Sequence, residues 1–422
     1  MKPAMRSIVK MMMGAALLSS VAAHVARAQD TQMYLPTEMA VHEAVMQAPE
    51  VLTAEARRDA TLARAEGTRA GTAETVIRAI GQGRQVREPS ERYAEGQIAI
   101  ERPLRLWGKA QADGTLADLA TESGSLSVKD ARHETSRQIL SLWIAVIRAS
   151  QARMAAEENA RGAADLAAMT ARRFQLGDAA RLDAELAAAE HARSRAAVAT
   201  AEAAEASALA DLRARFPMLG QPASEPVRIE LPPPTQEPVE QLRTAYVQDS
   251  HEYRLAMAEE ARALQQAKRA DLDRKPDPTV GMFVTVERGG AERILGVSVS
   301  MPLGSAYRRS TAVAAAADAE AAARRRLGLE RRLGAEFDVL YRNLSGKRAA
   351  AVAQTEAATL QRTTSERATR AYRTGESGLP ELIAVRRSLA DALLAERLAS
   401  VDVLESDSRL KLDLHRMWDF DD

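Results

Sequence analysis

PTVGMFVTVERGGAERILGVSVSMPL, from Pro278 to Leu303, is the stretch whose reading decides the fold. Val280, Met282, Val284 and Val286 fall on one side of its first run. Leu295, Val297, Val299 and Met301 fall on one side of its second, with Gly296, Ser298 and Ser300 on the other. A period of two is the strand signature. Gly289-Gly290 between the runs is a turn signal. The stretch predicts a β-hairpin with strands at about 278–289 and 292–303.

A noisier copy precedes it. ETVIRAIGQGRQV (Glu74–Val86) and RYAEGQIAIERPL (Arg92–Leu104) predict strands at about 74–86 and 92–104. Further landmarks recur in the same order. AVMQAPEV (Ala44–Val51) matches AYVQDSHEY (Ala245–Tyr253) at an offset of 201 residues. QIAIERPL (Gln97–Leu104) matches GVSVSMPL (Gly296–Leu303) at 199, and the aromatic-x-x-Gly ending at Gly177 matches that at Gly375 at 198. Alanine-rich helices resemble one another by composition, but three ordered matches at a nearly constant offset point to a duplication. The repeats are 29–216 and 239–422. ELPPPTQEP lies in the 217–238 join, an extended linker by its proline content.

Strands of this length suffice to cross a bilayer obliquely. A small soluble sheet buried under helices is the competing reading. The chain is 46% hydrophobic on a count that includes alanine and only 4% aromatic, a poor composition for the core that such cover requires. Four strands do not close a membrane barrel, which takes at least eight. An open edge in lipid leaves N–H and C=O groups unpaired. Strands in a membrane would therefore be shared among copies of the chain.

The amino terminus fits a cleaved export signal over residues 1–28. Lys2, Arg6 and Lys10 precede a short apolar run, Met11–Ala23, and Ala26-Arg27-Ala28 fits the small-x-small cleavage rule. The absence of cysteine excludes disulfides and thiolate metal sites. Lys and Arg number 58 and Asp and Glu 58, so bulk charge gives no case for nucleic acid.

Each half also carries helices of matched length. An incoming stretch, Thr37–Ala73 or Pro238–Arg274, is read as one helix of ~55 Å. Gly108–Leu176 and Ser305–Thr374 give ~100 Å each. The return legs, Asp178–Phe216 and Glu376–Trp418, give ~58 and ~65 Å. A return leg stacked on an incoming leg then matches one long leg. Gly177 and Gly375 would cap the long helices at the reversal, with Asp178 and Glu376 starting the next ones. An ordinary capped bundle predicts the same glycines, and the repeat and leg lengths favour the reversal. Pro103 and Pro302 are expected to end strands and start helices.

With these residues in place, the chain resembles the TolC-like outer-membrane efflux factors. The resemblance rests on the duplicated helix–hairpin–helix plan, on ERPLRLWGK (Glu101–Lys109) and SMPLGSAYRR (Ser300–Arg309), and on YRTGESGLPEL (Tyr372–Leu382). RLWGKAQAD (Arg105–Asp113) is similar to a stretch of the metal-exporting branch. The resemblance implies a mainly α fold with a small membrane β portion. Four strands per chain make a trimeric twelve-stranded barrel, continued by a long α-helical barrel across the periplasm. The implied partners are two further copies, a periplasmic adaptor, an inner-membrane pump of the resistance-nodulation-division or a related type, and outer-membrane lipid. Tip turns at Phe174, Gly177, Asp178, Leu182, Tyr372, Gly375, Glu376 and Leu379 would meet the adaptor. Acidic residues six positions past each tip glycine constrict the mouth in the family, and here they are Asp183 and Glu381. A solvated helix face is the competing reading of both. Ser377 and Ala179 replace an arginine that some members carry, and Leu186 and Ala384 replace a second acid, so a mouth closed by those ionic links is not expected.

No nucleophile motif, phosphate loop or dinucleotide fingerprint is present, so catalysis and cofactors are not expected. The six histidines are scattered without ligand spacing, so no metal site is expected. Trp107 and Tyr307 suit a barrel rim or plain packing. The alternative from another class is a periplasmic coiled-coil adaptor or scaffold without a pore. It accounts for the signal and the helices but not for two hairpins at matched positions.

Overall fold

The computed structural model describes residues 34–222, 229–304 and 306–420. The export signal at 1–28 and part of the 217–238 linker lie outside the described residues. The chain divides into two compact units. Among the described residues one comprises 34–52, 131–222, 229–249 and 333–420; the other lies within 53–130 and 250–332.

Helices α1 (Glu38–Met46), α2 (Pro49–Ala70), α3 (Lys109–Gln175) and α4 (Arg181–Arg215) fall in the span expected as the first repeat, with strands β1 (Val76–Val86) and β2 (Glu91–Pro103). Helices α5 (Val239–Gln248), α6 (His251–Leu272), α7 (Ala306–Thr374) and α8 (Leu379–Asp413) fall in the span expected as the second, with β3 (Thr279–Glu287) and β4 (Glu292–Ser300). α3 and α7 run for 67 and 69 residues, α4 and α8 for 35 each.

The incoming stretches are not single helices as the sequence pattern suggests. The first breaks at Gln47-Ala48, the second at Asp249-Ser250. Pro49 has no N–H to continue α1, and it opens α2, where none is needed. Ser250 leaves helical geometry before α6, with a ψ of 127°. The prolines also do not start the long helices. Pro103 ends β2, and Pro302 follows β4. Left-handed Trp107, Gly108 and Gly304 then turn the chain before α3 and α7 begin.

In the 131–249-containing unit, Val41, Val45 and Val51 pack with Ile139, Ile144, Leu212, Val401 and Leu404, all essentially fully buried. Burial of such side chains stabilises by ~1.5–3 kcal/mol each. Trp143 donates its indole N–H to the Tyr34 carbonyl at 2.8 Å. The proline-rich segment is held by Arg348, which donates to the Pro232 and Pro233 carbonyls, and by a bidentate Arg416–Glu237 pair at 2.7 Å. The histidines are less scattered than their spacing suggests. His133 and His415 bring their rings to 5.1 Å, and His133 Nε2 lies 3.4 Å from Asp413.

The other unit carries a four-stranded antiparallel sheet in the order β1-β2-β3-β4. Its registers run from Val76↔Glu101 to Val86↔Glu91, Gly96↔Val286 to Pro103↔Thr279, and Thr279↔Ser300 to Glu287↔Glu292. Beneath it, an ionic knot fixes the strand-to-helix passage. Lys109 is buried, with Nζ 2.9 Å from Asp277, 3.3 Å from Asp273 and 2.7 Å from the Lys275 carbonyl. Asp113 accepts from Arg105 at 3.0 Å and Arg269 at 2.5 Å. Trp107 donates to the Pro276 carbonyl. Four residues of RLWGKAQAD are thus occupied in anchoring the sheet.

Candidate functional site

The sheet has two faces of different chemistry, and both are accessible. Directly paired residues share a face. Ile77, Ile98, Ile100, Met282, Val284, Leu295, Val297 and Val299 therefore line one face, with Ala79, Gly81, Gly83, Ala94 and Gly96 among them. Exposure on it reaches 72% at Ile77 and 77% at Val297. A contiguous exposed apolar patch of this kind marks a partner or a membrane. The soluble alternative, a sheet buried under helices, does not describe these strands.

The opposite face mixes polar and apolar groups. Arg78 pairs with Glu101 at 3.1 Å, and Arg84 reaches Glu95 at 3.4 Å. Gln82 donates to Glu95 at 2.9 Å. Val76, Ile80, Phe283 and Ile294 share this face. Phe283 lies over Gly296, where a Cβ would run into its ring, so glycine is required there by close approach. β1 and β4 each pair along a single side among the described residues, so each presents an open ladder.

The two tip turns have the same backbone. Gly177 and Gly375 take φ of 82° and 80°. The Asp178 N–H bonds to the Arg173 carbonyl at 2.8 Å, and the Glu376 N–H to the Ala371 carbonyl at 2.9 Å. These six-residue closures are Schellman caps, in which glycine supplies the left-handed residue. Asp178 and Glu376 therefore lie in the turns and do not start the next helices. α4 and α8 begin at Arg181 and Leu379, and the first-turn acids are Asp183 and Glu381, where a carboxylate suits the positive end.

The side chains of the two tips differ. Tyr372, Leu379, Leu382 and Ile383 are buried with Leu166 and Ala187, and the Arg173 guanidinium sits 5.3 Å over the Tyr372 ring. Phe174, Leu176 and Leu182 of the first tip are exposed. Asp183 is half-buried and Glu381 exposed, and among the described residues neither is ion-paired. The sequence reading missed a tie between α4 and α8. Glu190 of α4 is buried and accepts from Arg387 of α8 at 3.0 Å and from Arg193 at 3.1 Å. Burial raises its pKa, but these bonds outweigh burial and hold its carboxyl below the ordinary range. Arg386 donates to the Gly162 carbonyl at 2.8 Å, and Arg397 to Glu158 at 3.0 Å. No sequence spacing signals partners 197 to 239 residues apart.

Among the described residues no helix is long and apolar enough to cross a membrane. No family model and no curated relative matches the sequence. Solved structures do. The outer membrane protein VceC of Vibrio cholerae is similar at 16% identity and a TM-score of 0.73, over 92% of this chain and 97% of that one. The Campylobacter jejuni CmeC outer membrane channel is similar at 12% and 0.73, over 93% and 88%. The outer-membrane channel OprN is similar at 18% and 0.74, over 92% of each. At such identities the likeness establishes the fold. Its even spread singles out no branch, metal-exporting or other.

Proposed function

We propose that this chain, which has the fold of the TolC-like outer-membrane channels, is the exit duct of a tripartite efflux or secretion system. It conducts cargo from a periplasmic adaptor and an inner-membrane pump to the outside. The work is conduction, and no catalytic group is assigned. The observation that carries the reading is the sheet, which exposes an unbroken apolar face and leaves an open ladder at each border. In lipid the first is solvated and the second is not tolerated. Copies of the same chain joined β4 to β1 satisfy both conditions, and three copies give a twelve-stranded barrel.

Native cysteine is absent, so engineered pairs report without background. Ala79→Cys or Ile77→Cys combined with Val297→Cys or Val299→Cys places one thiol on each border strand. Oxidation in intact outer membranes is expected to give, for at least one pair, a denatured ladder ending at three protomers. A monomer recovered from the soluble fraction would instead support the pore-free scaffold, and a ladder ending at two would sink the trimer.

The tip turns are proposed as the adaptor contact. Phe174, Leu182, Asp178 and Glu376 lie outward about Gly177 and Gly375, with Tyr372 and Leu379 beneath as support. Asp183 and Glu381 are proposed as the constriction, two carboxylates per chain without partner cations among the described residues. Rings of carboxylates favour cations. Asp183→Ala with Glu381→Ala is expected to raise single-channel conductance in a planar bilayer and to lower cation preference. Unchanged conductance retires the assignment.

A further inference from the structure

The charges of the sheet are sorted by face. Its strands hold five arginines and five glutamates. All five glutamates, Glu91, Glu95, Glu101, Glu287 and Glu292, share the mixed face with Arg78 and Arg84. Arg92, Arg102 and Arg293 stand on the apolar face, which carries no acid. Arg78 and Arg84 are ion-paired. All three apolar-face arginines are exposed, and among the described residues none is ion-paired.

Their positions follow the apolar band. On β2, Arg92 and Arg102 bracket Ala94, Gly96, Ile98 and Ile100. Ten residues of strand span ~34 Å. At a tilt of about 40° this projects to ~26 Å, against an apolar belt about 25 Å tall. Arg92 and Arg293 are each the second residue of a strand leaving a hairpin turn. Arg102 stands at the opposite end, where β2 leads to α3. The turn side, away from the helices, therefore carries two of the three unpaired guanidiniums.

We propose that Arg92 and Arg293 bind phosphate groups of anionic lipid in the outer leaflet. The inference rests on the membrane reading above. A guanidinium at the border of an apolar belt has no protein carboxylate within its own face, and its fork geometry matches a phosphate bidentately. The ligand class is a lipid with a phosphomonoester-bearing head group. Arg102 faces the inner border and serves as the internal control.

The test uses the purified full chain in phosphatidylcholine vesicles with or without bisphosphorylated lipid A. Native mass spectrometry is expected to show lipid A adducts on the trimer, and the heat-driven trimer-to-monomer transition rises with lipid A. Arg92→Gln with Arg293→Gln is expected to weaken adduct formation on the order of tenfold. Arg102→Gln leaves it as in the parent. A trimer that inserts equally in both vesicles, with no adducts or with adducts indifferent to Arg92 and Arg293, overturns the inference and spares the duct. Inorganic phosphate reproducing the full shift without lipid A also overturns it. Failure to insert in any vesicle sinks the membrane reading itself.

Discussion

Val284→Arg combined with Val297→Arg is expected to remove the heat-sensitive trimer from the outer membrane, whereas Thr285→Arg combined with Ser298→Arg leaves it in place. The two pairs lie one residue apart on the same two strands. Val284 and Val297 belong to the apolar face, where Val284 opposes Leu295 and Val297 opposes Met282. Thr285 and Ser298 belong to the mixed face. An arginine at the lipid midplane costs ~2–4 kcal/mol, falling toward zero near the interfaces. Two per chain, repeated in every subunit, exceed what a marginally stable barrel tolerates. The same cation facing water costs little. The measurement is the share of protein recovered in outer membranes that resists dissociation in cold detergent. Equal loss in both pairs would mean that the faces are not distinguished by lipid and would remove the ground for a membrane sheet.

The second hairpin was legible because its two strands alternate without interruption and Gly289-Gly290 marks the turn. The first was harder to read because Ala79, Gly81, Gly83, Ala94 and Gly96 dilute its apolar face. Only pairing to β3 shows that they continue the face of Met282 and Val284. The tip glycines were legible as left-handed positions, since a Schellman cap is a local device. The start of the following helices was not. Asp178 and Glu376 look like helix-starting acids, but their N–H groups close the caps. The unequal packing of the tips was also hidden. Phe174 and Tyr372 are both aromatic and both stand three residues before a tip glycine, and only the fold decides that Tyr372 is covered and Phe174 exposed. The two tips thus share one backbone, while contacts such as Arg387–Glu190 join α4 to α8 and follow from neither tip's local sequence.

Asp413→Asn is expected to destabilise the unit that contains it by ~3–5 kcal/mol at neutral pH, the cost of leaving a buried cation unpaired. Asp413 is buried at the end of α8. One carboxylate oxygen accepts from Arg137 at 2.7 Å and the other from Arg409 at 2.8 Å and the Tyr246 hydroxyl at 3.1 Å. Burial alone raises its pKa. The His133 contact and the two guanidiniums outweigh burial and hold the carboxyl far below its ordinary 3.8. The Tyr246 phenol is pushed up, first by burial and then by this charge. A carboxyl depressed in the folded state contributes its stability above the unfolded pKa and loses it as pH falls toward the folded one. The gap between parent and Asp413→Asn is therefore full at pH 7 and narrows below about pH 4. His133 adds a second slope, since burial lowers its pKa from 6.5. The unfolded chain takes up that proton first, so the parent's stability declines as pH drops through the range just below 6.5; Asp413 opposes that lowering, so the decline is steeper in Asp413→Asn. Thermal unfolding of the detergent-solubilised trimer across pH reads both slopes. Adding Arg137→Met to Asp413→Leu removes cation and anion together, and part of the lost stability is expected to return. If Asp413→Asn matched the parent at pH 7, or the double variant fared worse than Asp413→Leu alone, the buried carboxylate would not be the counter-charge that holds α3 and α8 together.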